Sequence, residues 1–225
     1  NLHNLNLKFA DLTGANLTNA NLKGVNFSRA NLSGADLSGA SLVGANFANA
    51  IMTNINLSNA NLMKSDLNNV FMKGAIATKA TFISASLKQA NLEGADLTLS
   101  DFSEAQMPQA TLISANLQEA IFSKANLSSA KLTGATMTRS MLKHANLEAA
   151  NLENVDFESA NLQKAKLYRA RLQRANLKNS NLAGGDLRKT NIMAAVIDGA
   201  NLAGTNLSGA RWIDGRKCAS ESIGT

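Results

Sequence analysis

An apolar residue returns at every fifth position from Leu2 to Trp212 without one insertion or deletion. Leu12, Leu17, Leu22, Phe27, Leu32 and Leu37 open the series, Leu172, Leu177, Leu182, Leu187, Ile192 and Ile197 carry it onward, and Ala77 is its one small member. Two residues before each lies a second rank of small residues, such as Ala10, Ala15, Ala20, Ala30, Ala35 and Ala40. Leu5, Val25, Ile55, Val70 and Val155 enlarge that rank, and Ser65, Ser100, Ser140, Ser180, Gly185, Thr190 and Thr205 interrupt it. A period of five fits neither an α-helix nor an ordinary strand, and frequent Asn and Gly weaken any helix. A chain that turns a corner every five residues satisfies the pattern. Its large and small apolar residues then point inward while the other three face solvent. Four such segments close a square coil of about twenty residues, and stacked coils bury one another's apolar ranks. At a strand spacing of roughly 4.8 Å, about ten and a half coils make a rod on the order of 50 Å long.

Composition agrees with a narrow interior. The hydrophobic fraction is 45%, mostly Ala and Leu, with 4% aromatics, so the core is filled by uniform layers rather than by large interlocking side chains. No stretch reaches the ~20 apolar residues of a membrane-spanning helix, and no charged-then-apolar leader opens the chain. The numbering starts at Asn1 rather than Met. The expectation is a soluble protein, with the compartment left open. Cys218 is the sole cysteine, which leaves no internal disulfide framework.

The repeat reads as Ala15-Asn16-Leu17-Thr18-Asn19, Ala35-Asp36-Leu37-Ser38-Gly39 and Ala175-Asn176-Leu177-Lys178-Asn179. It resembles the A-[ND]-L-x-x motif of the pentapeptide-repeat family. The resemblance implies an all-β fold, a right-handed quadrilateral parallel β-helix of about ten coils over residues 1–212, followed by a C-terminal tail, 213–225. That tail, Trp212-Ile213-Asp214-Gly215-Arg216-Lys217-Cys218 with Ser222-Ile223-Gly224, resembles an ending found in many bacterial members. Trp212 occupies a large inward position at the last coil, where its bulk is expected to plug the core. At the other end Leu2, Leu5 and Leu7 already sit in or near register, so the sequence shows no cap there.

Chemistry is sparse. His3 and His144 lie some seven coils apart, no His/Cys/Asp cluster has metal-ligand spacing, and Cys218 has no evident base partner. Ser140 faces inward and His144 outward, against a Ser-His-Asp arrangement. The glycines are single turn residues such as Gly14, Gly24 and Gly34, not a phosphate-cradling loop. The chain is therefore expected to be no enzyme and to carry no cofactor, metal or small-molecule substrate. The outward Asn rank, Asn16, Asn56 and Asn116 among it, is explained by amide bonds to corner backbone or by ladders between coils. A hydroxyl rank, Thr18, Ser38, Ser58, Thr78 and Thr98, is too interrupted by Asp36, Ile76 and Asp96 for an ice-binding lattice.

Departures from the repeat are the candidate binding residues. Positions twenty apart share a column, so Val43, Met63 and Ile83 form one outward apolar column and Ile51 with Phe71 another. Ile76 lies a quarter-turn from Phe71, and Ile121 with Met141 makes a third pair. Contiguous exposed apolar patches mark interfaces, although β-branched residues also simply suit a pleated surface. A side-by-side homodimer through the middle coils is the reading these residues favour. The second departure is charge. Net charge is +6, and all of the excess lies in the second half. Lys164, Lys166, Arg169, Arg171, Arg174, Lys178, Arg188 and Lys189 crowd one stretch against Asp186 alone. Lys166, Arg169, Arg188 and Lys189 fall on one side, and Arg171, Arg174 and Arg211 on the adjoining one. Such a stripe could bind nucleic acid or an acidic surface, though Tyr168 is the one aromatic beside it. The leading expectation is a non-enzymatic scaffold that binds a macromolecule, protein or itself. The resemblance also implies a second reading, since acidic family members mimic duplex DNA and bind DNA gyrase in quinolone resistance. A sequence pI of about 9.6 has the opposite sign.

Overall fold

The computed structural model describes residues 4–224, and among them every element is a short β segment or a turn, with no helix. Parallel bridges join each outward Asn-type position to the residue twenty further on, from Asn6 with Asn26 through to Asn191 with Arg211. Each coil is therefore twenty residues long and has four sides. The first side is marked by bridge residues such as Asn21 and Ser41, the second by Asn26 and Asn46, the third by Asn31 and Ile51, and the fourth by Asp36 and Asn56.

The corners explain the period. At every fifth residue from Asn4 to Gly209 the backbone is left-handed, with φ between 55 and 68°. The next amide donates back to the carbonyl three residues earlier, as in Ala130 N–H to Leu127 O at 3.0 Å. A positive φ at the third of four residues, with the second negative, defines a type II turn. One repeat shows how every donor is used. Asn126 donates to Ala105 O in the coil before (2.9 Å), Leu127 to Asn146 O in the coil after (2.7 Å), and Ser129 to Glu148 O in the coil after (2.8 Å). Ser128 donates to the Oδ1 of Asn126, two residues back, at 3.1 Å. With Ala130, all five backbone N–H groups are satisfied, as buried or half-buried backbone requires. Asn or Asp thus recurs because its short side chain accepts a corner amide that no neighbouring coil can reach.

Inside, the Leu-type and Ala-type ranks are buried from Leu22 to Ile192. Phe82, Phe102 and Phe122 occupy one column and stack with centroids 4.6 and 5.0 Å apart, and Phe27 lies 5.1 Å from Phe47. Offset stacking of this kind adds to area burial. Ser65, Ser100, Ser140 and Ser180 replace inward Ala, and each hydroxyl donates to the carbonyl three residues earlier at 2.6–2.7 Å. Burial without such a partner would be costly.

After Trp212 the chain reverses. Arg211 pairs with Lys217 and Asn206 with Ile223 in antiparallel bridges. The N–H groups of Gly204, Leu207 and Trp212, which inside the rod would reach the next coil, donate to carbonyls of Gly224, Ser222 and Arg216. The carbonyls of Ala210 and Thr205 accept from Cys218 and Gly224. Gly224 lies so close that a Cβ there would sit 2.3 Å from Leu202 O. The indole of Trp212 packs half-buried against the core. The described residues at the other end, Leu7, Leu12 and Leu17, are half-buried where their counterparts further along are fully enclosed.

Truncating the middle of the phenylalanine stack, Phe102→Ala, is expected to cost about 3–5 kcal/mol. A lowered guanidinium midpoint, followed by circular dichroism, measures it.

Candidate binding surfaces

Outward side chains sit on a fixed grid, so the candidate residues can be placed by column. Ile51 and Phe71 are bridged neighbours on the third side, and Ile76 lies round the corner on the fourth. Their relative exposures are 46%, 55% and 46%, which makes this the open apolar patch of the middle coils. Val43, Met63 and Ile83 belong to the corner after the first side, opposite Ile51 and Phe71, and all three are half-buried. Ile121 and Met141 are bridged on the first side as well, with Met141 46% exposed and Ile121 half-buried. The structure therefore divides the eight candidates between opposite sides. Leu99, Met193 and Val196 are exposed too, and the sequence reading passed over them.

At Ile51, Phe71, Ile76, Ile121, Met141, Lys166 and Arg171 the residue replaces the Asn or Asp whose Oδ1 would take the corner amide. Each replacement forgoes a hydrogen bond that contributes about 0.5–1.5 kcal/mol net.

The basic residues form two groups of different character. Arg188 is held by Asp186, with Nε and a terminal nitrogen 2.8 and 2.6 Å from its oxygens. Arg171 is paired with Glu153. By contrast, none of the ion pairs among the described residues includes Lys164, Lys166, Arg169, Arg174, Lys189, Arg211 or Lys217. Lys166 does face Asp186 across one bridge. Arg174 borders a shallow recess with Glu153, Asn154, Gln173, Met193 and Ala194, where the Oε1 of Gln173 is buried without a partner.

Tyr168 gathers two cations of the second group, Arg169 and Lys189, together with the paired Arg188. The guanidinium of Arg169 stands 5.0 Å from its ring centroid, that of Arg188 5.5 Å, and the ammonium of Lys189 5.7 Å. Cations over a tyrosine ring are attracted by its quadrupole. A hydrogen bond from Lys189 to the phenol oxygen, with the positive field of Arg169 and Lys189, holds the phenol below its ordinary range, against a smaller opposing effect of burial. Arg169 and Lys189 occupy the same corner position in successive coils, both with positive φ. Like charges facing each other across strands destabilise. The sequence reading located these cations and Tyr168 beside them, but not the convergence of Arg169, Arg188 and Lys189 on its ring.

Ser140 and His144 face opposite ways. Ser140 is buried and bonded to Met137 O at 2.6 Å, while His144 is an exposed corner residue with φ 61°. His3 lies outside the described residues. Among the described residues, no group of three or more His, Cys, Asp or Glu is placed to hold a metal ion, and no helix is long and apolar enough to cross a membrane. Burial raises the Cys218 thiol, and the nearby charge of Asp214 adds to that.

Comparison with known proteins decides the family. The profile of pentapeptide repeats matches residues 1–39, 40–76, 78–112 and 170–209, and that of a pentapeptide repeat region matches 110–187. The chain belongs to the pentapeptide-repeat family. Its fold is accordingly the right-handed quadrilateral β-helix. Among solved structures it is similar to HetL of the cyanobacterium Nostoc, a protein involved in regulation of heterocyst differentiation. That match has 30% identity, covers 97% of this chain and 93% of HetL, and has a TM-score of 0.38. A pentapeptide repeat protein of the Arabidopsis thaliana thylakoid lumen matches at 24% identity over 44% of this chain and 69% of its own, with a TM-score of 0.43. QnrB1, a plasmid-mediated fluoroquinolone resistance protein, matches at 19% over 88% and 90%, with a TM-score of 0.40. No curated protein matches the chain.

Tyr168 is the one tyrosine of the chain, so its ionisation can be followed directly by ultraviolet absorbance. The phenolate is expected to form at lower pH than in free tyrosine, and Lys189→Asn to move the transition back up. Because the folded-state value is lowered, the stability this group contributes is present above the unfolded-state tyrosine range. It is lost as pH falls through the folded-state value.

Proposed function

We propose that this pentapeptide-repeat protein is a non-enzymatic scaffold that binds a macromolecular partner through its outer grid, with the basic flank of the C-terminal coils as the docking surface. The unpaired cations gathered round Tyr168 are the observation that carries the reading. The interior supports it from the other direction, since from Leu22 to Ile192 its inward positions are filled by buried apolar groups or hydroxyls bonded to backbone carbonyls. The 30% identity to HetL supports a regulatory role, and a bacterial source.

The apolar patch of Ile51, Phe71 and Ile76 supports self-association as a second use of the surface. In that case the homodimer forms through the third and fourth sides rather than through Val43, Met63 and Ile83. Trp212 serves in this scheme as the plug of the last coil, held by the reversed tail 213–225.

Affinity capture from the native organism with the whole chain, then calorimetry with the purified captured protein, tests the scaffold. Saturable binding at a fixed stoichiometry is expected, and absence of any direct binder overturns the reading. The variant Phe71→Asp is expected to convert a dimer into a monomer in light scattering, and a dimer that survives it removes the patch from the interface. In a gyrase supercoiling assay the chain is expected to leave quinolone inhibition unchanged, because its flank carries the sign opposite to DNA. Protection at low micromolar protein would replace the scaffold reading with a gyrase-directed one.

A further inference from the structure

We infer that Arg169 and Lys189, set beside Tyr168 at the corner after the second side, form with Lys217 of the reversed tail a carboxylate-binding site for an acidic segment of a partner protein. The inference rests on the scaffold reading and names the chemistry of the partner.

The rest of the rod shows what these cations lack. Lys73 pairs with Glu93 at 2.9 Å, Lys124 with Glu104 at 3.7 Å and Arg139 with Glu119 at 2.8 Å, each acid standing one coil away in the same column as its cation. Arg171 meets Glu153 in the same fashion, across adjacent columns. The corner column of Arg169 and Lys189 offers no such acid. Ala149 stands one coil below and Gly209 one coil above, so two cations are stacked where the fold elsewhere alternates charge.

Gly209 makes the upper position a floor without a side chain. A Cβ built there would meet the Cγ of Lys189 at 3.7 Å and the Cε of Lys217 at 3.8 Å. The stems of both lysines therefore flank this bare corner, one from its own column and one from the reversed tail. A carboxylate supplied from outside can enter the place that a glutamate of the next coil takes elsewhere, facing Lys189 and Lys217 with Arg169 beyond. Among the described residues, none of the chain's own acids is ion-paired with Arg169, Lys189 or Lys217. Asp186 is bonded to Arg188. Glu148 stands in the Tyr168 column one coil below, and Glu221 is fixed by its backbone to Ser208 Oγ at 3.0 Å.

Carboxylate is favoured over nucleic acid by the same ring. Single-stranded nucleic acid gains much of its binding by stacking bases on exposed aromatic faces, and the Tyr168 ring already has three cations against it. The other aromatics nearest in the chain, Phe157 and Trp212, are buried and half-buried. An extended acidic segment running along the corner needs no ring face, only cations at successive coils.

The test uses the full chain and a fluorescein-labelled oligoglutamate peptide, read by anisotropy at low ionic strength. Arg169→Asn with Lys189→Asn removes the two corner charges while keeping a residue that tolerates positive φ, as Asn49 and Asn69 do in the same column. Lys64→Asn with Lys79→Asn removes equal charge at two other corners of the same conformation and serves as the control. Peptide affinity is expected to fall about tenfold in the first pair, and to stay within about twofold in the second. Equal losses in both pairs, or no peptide binding by the parent chain, would overturn the site. Tighter binding of a duplex DNA of matched charge than of the peptide would overturn the carboxylate assignment in favour of phosphate. A captured partner that binds the first double variant as tightly as the parent removes this site while leaving the scaffold itself standing.

Discussion

The whole rod depends on a left-handed residue that closes each corner. Outside glycine, that conformation costs an L-residue roughly 1–2 kcal/mol, yet Arg, Lys, Glu, Gln, Ser and even Leu99 adopt it here. They do so because the corner amide and its neighbours each complete a hydrogen bond to an adjacent coil or to the residue two places back. The strain is local and the compensation comes from the stack, so a single coil has little stability apart from its neighbours. Solenoids share this nearest-neighbour economy. One consequence is that the corner residue is chosen almost freely, which gives the protein a place to display charge without disturbing the interior.

Much of this was legible in the residues. The unbroken period of five dictates corners, and alternating large and small apolar ranks dictate a square interior. The Asn rank was also readable as structural, and Asn126 with Ser128 shows the bond concerned. Spacing by twenty places Ile51 and Phe71 in one column, and quarter-turns place Arg169 and Lys189 on one side. Three things escaped the sequence reading. Quarter-turn spacing also places Val43 and Phe71 on opposite sides, but the sequence reading weighed the apolar residues only as columns. Ion pairing depends on rotamers, so the withdrawal of Arg171 and Arg188 to Glu153 and Asp186 could not be counted from spacing. Tyr168 was visible beside the basic stretch, but the convergence of Arg169, Arg188 and Lys189 on its ring depends on rotamers.

Function and stability are separated in this architecture to an unusual degree. The inner two residues of each repeat hold the fold, through layers such as the Phe82, Phe102 and Phe122 stack. The outer three are nearly independent of one another and of the core. Surface ion pairs such as Lys73 with Glu93 contribute about 0–1 kcal/mol each, so removing their acids is inexpensive. The corner of Arg169 and Lys189 is such a place, tolerable because the repeat beneath it remains complete.

The reversed strand that follows Trp212 also gives the rod a direction. With Ser222 and Arg216 carbonyls taking the donors of Leu207 and Trp212, and Cys218 and Gly224 taking carbonyls of Ala210 and Thr205, two of the four edges are already spoken for. A second rod cannot continue the stack from that face in the same sense. Growth into fibres by head-to-tail addition, the standing hazard of any exposed β edge, is thereby obstructed at the very coils where the molecule gathers its positive charge.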